Sequence, residues 1–371
     1  MKRVTTSPIK EISMSLDHYV TLGRSGLRVS PFALGAMTFG EDAGGAGCSP
    51  DEARTIISSY LEHGGNVIDT ANFYTNGHSE KILGDYFAAH PNRRDRVILA
   101  TKFFTNMFPG DPNGGGAGRR SIIAQLEESL RRLRTDHIDL YWLHNWDRHT
   151  PIEETMRTLD DLVRAGKIRY LGFSNIPAWV TAQAQTLALL QGWTPLVALQ
   201  IGYSLLNRGV EAEVAPLALD QGLALVPWSP LQNGFLSGKY RRGAQVHDSA
   251  RAAFVGGPTE GEFDVIEAVG EVAEELETTS AAVALAWLRA RPGTVVPILG
   301  ARRLDHLQTN LAGLDIELTQ GQLQRLDSVS DPGLRPAVEP ELLAALQFAG
   351  ATVDGRRSGE YPPLAAGTAR Y

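Results

Sequence analysis

Four polar side chains stand at or just beyond the ends of short apolar runs, and their types make a proton-relay set. Asp69 and Tyr74 lie in NVIDTANFY, Lys102 closes VILATK, and His144 closes IDLYWLH. A tyrosine phenol has a pKa of about 10, too high for easy proton transfer at neutral pH. A nearby ammonium favours the phenolate and lowers that value. Lys102 would be that ammonium, and Asp69 would hold it charged and in place. His144 would orient a carbonyl oxygen. Tyr74 would then give a proton to that oxygen as a hydride reaches the carbon. The hydride has to come from a cofactor, because no side chain supplies one. Taken singly, each residue has a plainer explanation: a helix N-cap, a rim aromatic, a surface charge, a structural histidine. Their joint placement, in this order and at strand ends, carries the chemical reading.

Residues so far apart in the chain meet only on a scaffold that gathers strand ends. Short apolar runs recur at 32–37, 66–71, 96–101, 137–144, 168–174, 196–202, 222–228 and 294–300. They are nearly continuous rather than alternating, as in parallel strands buried on both faces. Helical periodicity fills the gaps. Ile122, Leu126, Leu130 and Leu133 fall on one side of 121–133, and 151–167 begins with Pro and ends around Gly166. Eight strand–helix units predict an α/β fold, a (β/α)8 TIM barrel whose C-terminal strand ends carry the chemistry. The chain reads as a single domain, 1–371, with its core at about 19–331 and a tail at about 332–371. The alternating stretch 19–30, with Gly26 in it, reads as a hairpin plugging the bottom of the barrel. Two loops, 103–120 and 232–264, belong to the catalytic face, where long loops commonly serve as lids. The tail shows one helical patch, 340–348.

Composition bounds the partners. The chain has 371 residues, 43% hydrophobic and 21% charged, which is ordinary for a globular protein. A net charge of −7 speaks against a nucleic-acid partner. No apolar run approaches a membrane span, and the basic N-terminus lacks the apolar core of a signal peptide. We therefore expect no membrane association and a cytoplasmic location. The single cysteine, Cys48, allows no intrachain disulfide, which suits a reducing compartment. The nine histidines are scattered without the close pairing of a zinc site, so no metal is expected.

Several segments together resemble a known family. LGAMTFG, NVIDTANFYTNGHSEKILG, ILATK, IDLYWLHNWD, GKIRYLGFSN, ALQIGYSLLNR, PWSPLQNGFLSGKY and PILGAR are similar to motifs of the aldo-keto reductase superfamily, in the same order, from about 19 to 331. The nearest branch holds bacterial aldo/keto reductases and potassium-channel β-subunits. The resemblance places the family's catalytic Asp, Tyr, Lys and His on Asp69, Tyr74, Lys102 and His144. Channel subunits typically carry Asn at the last position, so His144 points to a working reductase.

The same resemblance implies a nicotinamide cofactor held by barrel loops. Ser174, Asn175 and Gln200 would bond the carboxamide, and Tyr203 would stack on the nicotinamide ring. Trp228, Ser229, Pro230 and Leu231 would line the pyrophosphate path, with Lys239 reaching phosphate. Gly300, Arg302 and Asn310 would hold the adenosine end, and Gly35 and Met37 would lie beneath the site. No Gly-x-Gly-x-x-Gly fingerprint stands between a strand and a helix, so a Rossmann domain is not implied. His306 and Thr309 stand where relatives often have Gln and Glu near the adenine. The Arg302 guanidinium suits a phosphate, which favours NADPH over NADH.

The expected activity is reversible reduction of an aldehyde or ketone to an alcohol. Phe39, Phe73, Phe104, Asn145 and Trp146 would contact the small-molecule carbonyl substrate. The alternative is a nicotinamide-binding regulatory or channel-associated subunit with little turnover. Homo-oligomerisation is left open by the sequence.

Overall fold

Side-chain parity along the strands decides what faces the barrel axis. A computed structural model describes residues 15–41, 47–243, 256–334 and 340–360. After a short antiparallel hairpin of β1 (Val20–Thr21) and β2 (Arg28–Val29), eight parallel strands follow. They are β3 (Ala33–Gly35), β4 (Val67–Asp69), β5 (Ile98–Phe103), β6 (Ile138–Leu143), β7 (Ile168–Ser174), β8 (Leu196–Gly202), β9 (Ala224–Trp228) and β10 (Ile298–Gly300). They pair in sequence order, and β10 pairs with β3. A parallel bridge between Leu225 and Val295 joins the two remaining edges, so the sheet closes on itself. The (β/α)8 barrel expected from the apolar runs is the observed fold.

Two cores result from the alternation of side chains in a strand. On β5, Ile98 and Ala100 point inward with Val67, Leu140, Trp142, Ala198, Ala224, Val226 and Ile298. Leu99 and Phe103, from the same strand, pack outward against the helices. Lys102 has the parity of Ala100, so it too lies inside. Asp69 shares parity with Val67, and Gln200 with Ala198. The polar top of the barrel is therefore a continuation of its apolar interior. At the bottom, Leu22 and Val29 of the hairpin join the inner core, and Gly23 lets the plug approach closely. A Cβ on Gly23 would lie 2.2 Å from the Val197 carbonyl oxygen, and its φ of 57° suits glycine.

Local signals start the helices. Helix α1 (Pro50–Glu62) opens with Pro50 and a capping box in which Ser49 and Glu52 satisfy each other's backbone N–H. Thr259 and Glu262 form the same device at the start of the helix Glu260–Glu275. That shortens the loop expected over 232–264, which ends at Thr259. Its first part is a short 3-10 stretch, Gln232–Ser237, and 244–255 lies outside the described residues, as do the N-terminal residues 1–14 and the tail's last eleven. No described helix is long and apolar enough to cross a membrane. The described residues beyond Ser330 form a second compact unit, with the helix Pro340–Phe348 and a hairpin of Thr352–Val353 with Arg356–Arg357.

Trp142 fills the inner core below the polar layer, and Gly172 on β7 makes room for it. A Cβ at Gly172 would sit 2.3 Å from the Trp142 ring. Gly172→Ala should therefore destabilise the protein by about 1–3 kcal/mol through overpacking, read as a lower urea midpoint. An unchanged midpoint would show that the Trp142 side is loosely packed.

Candidate active site

Lys102 is fully buried inside the barrel, and each of its ammonium hydrogens has an acceptor. Nζ donates to Asp69 Oδ2, to the Thr70 carbonyl at 2.8 Å and to the Tyr74 hydroxyl at 3.1 Å. Asp69 ends β4, and its second oxygen accepts from Gln200 Nε2 at 3.0 Å. Tyr74 begins a tight turn, Tyr74–Gly77, in which Thr75 and Asn76 have φ of 47° and 54°. Such left-handed non-glycine residues are strained and need the surrounding structure to hold them. Tyr74 reaches Lys102 just before the turn, which then leads the chain into the following helix.

His144 completes the group. Its ring lies 6.0 Å from that of Tyr74 and 5.4 Å from that of Phe73. Its Nδ1 is buried without a hydrogen-bond partner. An orphaned N–H is rarer in folded proteins than an under-used acceptor, so the proton belongs on Nε2. The ring lines the cleft, where an Nε2–H can donate to a ligand oxygen.

Burial and charge oppose each other at each member. Burial pushes the Tyr74 phenol up, and Lys102 only partly pulls it back. The expected lowering by Lys102 is thus outweighed, and the phenol stays protonated. Burial also lifts the Asp69 carboxyl, against the pull of Lys102 and Gln200. The Trp142 indole adds to that pull, though its N–H falls short of a hydrogen bond. Burial disfavours the Lys102 ammonium, yet Asp69 more than compensates and holds it above the ordinary lysine value. Burial, with the Lys102 charge adding to it, lowers His144 to about 3 and keeps it neutral.

Above these residues opens a cleft of about 610 Å³. Asp69, Tyr74 and His144 lie on its wall, as do Gly35, Met37, Asn175, Gln200, Trp228, Ser229, Pro230, Leu231, Lys239, Gly300, Arg302 and Asn310. Lys102 lies directly behind Tyr74. Asn175 is a hub: its amide donates to the His144 carbonyl at 3.2 Å and to Ser174 Oγ at 3.2 Å. Its oxygen accepts from the Trp228 indole at 3.0 Å. That bond fixes the indole, which is 41% exposed, over the cleft.

Several expected contacts lie elsewhere. Tyr203 is not on the cleft wall. Its hydroxyl donates to Glu211 at 2.6 Å, and its ring packs on Trp287 at 5.6 Å. Strand parity is the reason: Gln200 points inward, so Tyr203, three residues on, points outward, whereas Trp228 has the inward parity of Ala224 and Val226. Ser174 is wholly buried and reaches the site only through Asn175. Among the expected substrate contacts, only Phe73 lines the cleft. Phe39 is fully buried, held where its backbone bridges to Cys48. Phe104, at φ of 136°, packs against the helix-layer core. Asn145 accepts from Asn175 at 3.4 Å. Trp146 lines a second, smaller cavity, edge-on to Trp179 at 5.3 Å.

The sequence reading missed Thr38, Asn233, Ser237 and Ala281, which also line the cleft. Asn233-Gly234 and Ser237-Gly238 were visible as turn signals. Thr38 and Ala281 had no distinguishing signal.

The far end of the cleft is cationic. His306 is lowered by burial and then by Arg303, opposed by Asp305, with Arg302 and Lys239 adding to the effect. Arg303 is committed to Asp305 through two bonds at 3.0 and 2.8 Å. Between the two ends, Ser229, Gln232, Asn233 and Gly234 all have left-handed φ, a backbone form that builds anion-binding concavities. Gly300 has open space where a Cβ would project. A cleft with a flat indole at one end, a concave backbone in the middle and a cationic far end fits a nicotinamide dinucleotide.

The comparisons agree with this geometry. The Aldo/keto reductase family matches residues 31–331. An uncharacterized oxidoreductase of Bacillus subtilis is 38% identical over 321 residues, covering 84% of this chain and 95% of that protein. An aldo-keto reductase of Emericella nidulans is 36% identical, over 87% and 84% of the two chains. An aryl-alcohol dehydrogenase of Pestalotiopsis microspora is 32% identical, over 85% and 82%. This chain belongs to the aldo/keto reductase family and is an NAD(P)H-dependent oxidoreductase.

Proposed function

We propose that the protein reduces an aldehyde or ketone to an alcohol with NADPH, and that Tyr74 is the proton donor. The carrying observation is the direction of one hydrogen bond. Lys102 donates to the Tyr74 oxygen, so the phenolic proton is left to point into the cleft. The nicotinamide supplies hydride when bound. As the carbonyl oxygen gains negative charge, Tyr74 passes its proton to that oxygen, and the adjacent ammonium stabilises the phenolate left behind. Neutral His144 donates from Nε2 to the same oxygen and orients it. Asp69 keeps Lys102 charged throughout.

Other residues serve the ligands. Trp228 offers the flat face for the nicotinamide, and Asn175 and Gln200 line the same end. Arg302, which has no ion-pair partner among the described residues, meets the 2′-phosphate together with Lys239. The mouth presents Met37, Phe73 and Trp228 at 48%, 37% and 41% exposure. Exposed large apolar groups around a polar relay favour an apolar, ring-bearing carbonyl compound. The similarity to an aryl-alcohol dehydrogenase supports the same class.

Three outcomes test this reading. Tyr74→Phe should lower kcat by about 10²–10⁴-fold, the range for a lost general acid, with NADPH affinity by fluorescence titration unchanged. Full turnover in that variant would remove Tyr74 from the mechanism. Arg302→Ala should weaken NADPH by about 10- to 100-fold, the scale of a charged hydrogen bond, and leave NADH nearly unaffected. An unchanged preference between the two cofactors would end the phosphate assignment. His144 should show no titration by NMR between about pH 5 and 8, where an ordinary histidine changes charge. The unfolded chain takes up that proton first, so the His144 contribution to stability falls as pH drops from 6.5 towards about 3. His144→Asn should therefore lose less stability than the parent on acidification.

A further inference from the structure

Glu80 is fully buried, yet it takes no part in the relay just described. It sits in the first turn of α2 (His78–Ala89), the helix that grows directly out of the Tyr74 turn. One carboxylate oxygen accepts from Thr101 Oγ1 at 2.6 Å, and the other accepts from Arg132 Nε at 2.6 Å. Thr101 precedes Lys102 on β5 and points to the opposite face of that strand. Glu80 thus grips the outer side of the strand whose inner side presents Lys102.

One other tie reaches β5, the Asn72 N–H on the Lys102 carbonyl at 3.1 Å, upstream of the Tyr74 turn; the side-chain ties of the turn itself lead elsewhere. Thr75 Oγ1 donates to the Phe39 carbonyl at 2.8 Å. Ser79 Oγ donates to the Ala36 carbonyl at 2.7 Å and lies 2.8 Å from Thr70 Oγ1. These hold the turn to the ends of β3 and β4. Glu80 adds the side-chain tie to β5, where Lys102 resides. The left-handed Thr75 and Asn76 make the turn a strained connection whose end point depends on such anchors. Around Glu80, Arg132 comes from α3 (Arg119–Leu133), Thr101 from β5, and the Tyr141 hydroxyl from β6 is buried there without a partner. A buried carboxylate is an expensive way to fill space compared with an apolar side chain, so packing alone does not account for it.

We propose that Glu80 is a positioning residue for Tyr74. By tying the start of α2 to β5, it sets the Tyr74 oxygen against Lys102 Nζ. This rests on the reading of Tyr74 as proton donor.

Two variants test it. Glu80→Gln keeps the shape and removes the charge. Thr101→Val cuts the link to β5 while leaving Glu80 paired with Arg132, and it serves if the first variant fails to fold. Each should lower kcat for an aryl aldehyde by about 10- to 100-fold, the scale of a sub-ångström to 1 Å misplacement of a catalytic group. Each should also shift the alkaline limb of the kcat–pH profile, since the coupling of Tyr74 to Lys102 changes. KM for the aldehyde and the Kd for NADPH should stay as in the parent. Parent-like kcat and pH profile in folded variants, even with a lower Tm, would overturn the positioning role and leave the Tyr74 reading intact. A parent enzyme whose turnover survives Tyr74→Phe would instead overturn that reading, and the positioning role with it.

Discussion

A lysine ammonium buried at 0% exposure is the constraint from which this site follows. Removing such a charge from water costs several kcal/mol unless it is paired and hydrogen-bonded. Lys102 meets that demand with three acceptors of different kinds: a carboxylate, a backbone carbonyl and a phenol. Two of them come from the neighbouring strand, Asp69 at the end of β4 and the Thr70 carbonyl just beyond it. The third, the Tyr74 phenol, stands at the start of the turn whose left-handed residues, Thr75 and Asn76, carry the chain on into the next helix. Barrel register, strand parity and the entry to that turn thus share one purpose. Each delivers an oxygen to one nitrogen.

That arrangement also divides the cleft electrically. At the chemical end, the positive charge is buried behind the wall and already matched by Asp69. Beside the buried Asp69 carboxylate, the wall there presents two neutral groups: a protonated phenol and an imidazole held at a pKa of about 3. At the far end, Arg302 and Lys239 line the cleft, and His306 there is lowered first by burial and then by Arg303, with Arg302 and Lys239 adding to it. A dinucleotide is itself divided in this way, with an uncharged carboxamide at one end and phosphates towards the other. The Asn175 hub joins the two functions, since one side chain steadies both the His144 loop and the Trp228 indole.

Much of this was legible in the sequence, because parallel strands write their burial directly as apolar runs. The eight strands, and the four residues that meet at their C-terminal ends, came from runs and their ends. The differences between expected and observed positions concern parity and loop depth. Tyr203 follows β8 and Trp228 ends β9, and counting in twos from Gln200 and from Val226 separates them without coordinates. The Thr259–Glu262 capping box and the Asp354-Gly355 turn of the terminal hairpin were likewise readable. Asp354 and Gly355 have the paired left-handed φ, 48° and 76°, that such turns demand. Phe39 and Trp146 were not readable. Whether a rim aromatic faces a cleft depends on what packs over it, here the Cys48 bridge across an intervening loop and the Trp179 ring from a later helix. The balance at Tyr74 was also hidden, because burial is a property of the assembled barrel.

The most direct test exchanges the lysine for a side chain of similar reach without charge. Lys102→Met should keep the fold and still bind NADPH by fluorescence titration, while single-turnover reduction of an aryl aldehyde collapses because nothing stabilises the Tyr74 phenolate. Reduction at the parent rate in Lys102→Met would contradict the account, since the ammonium would then have no part in the proton transfer.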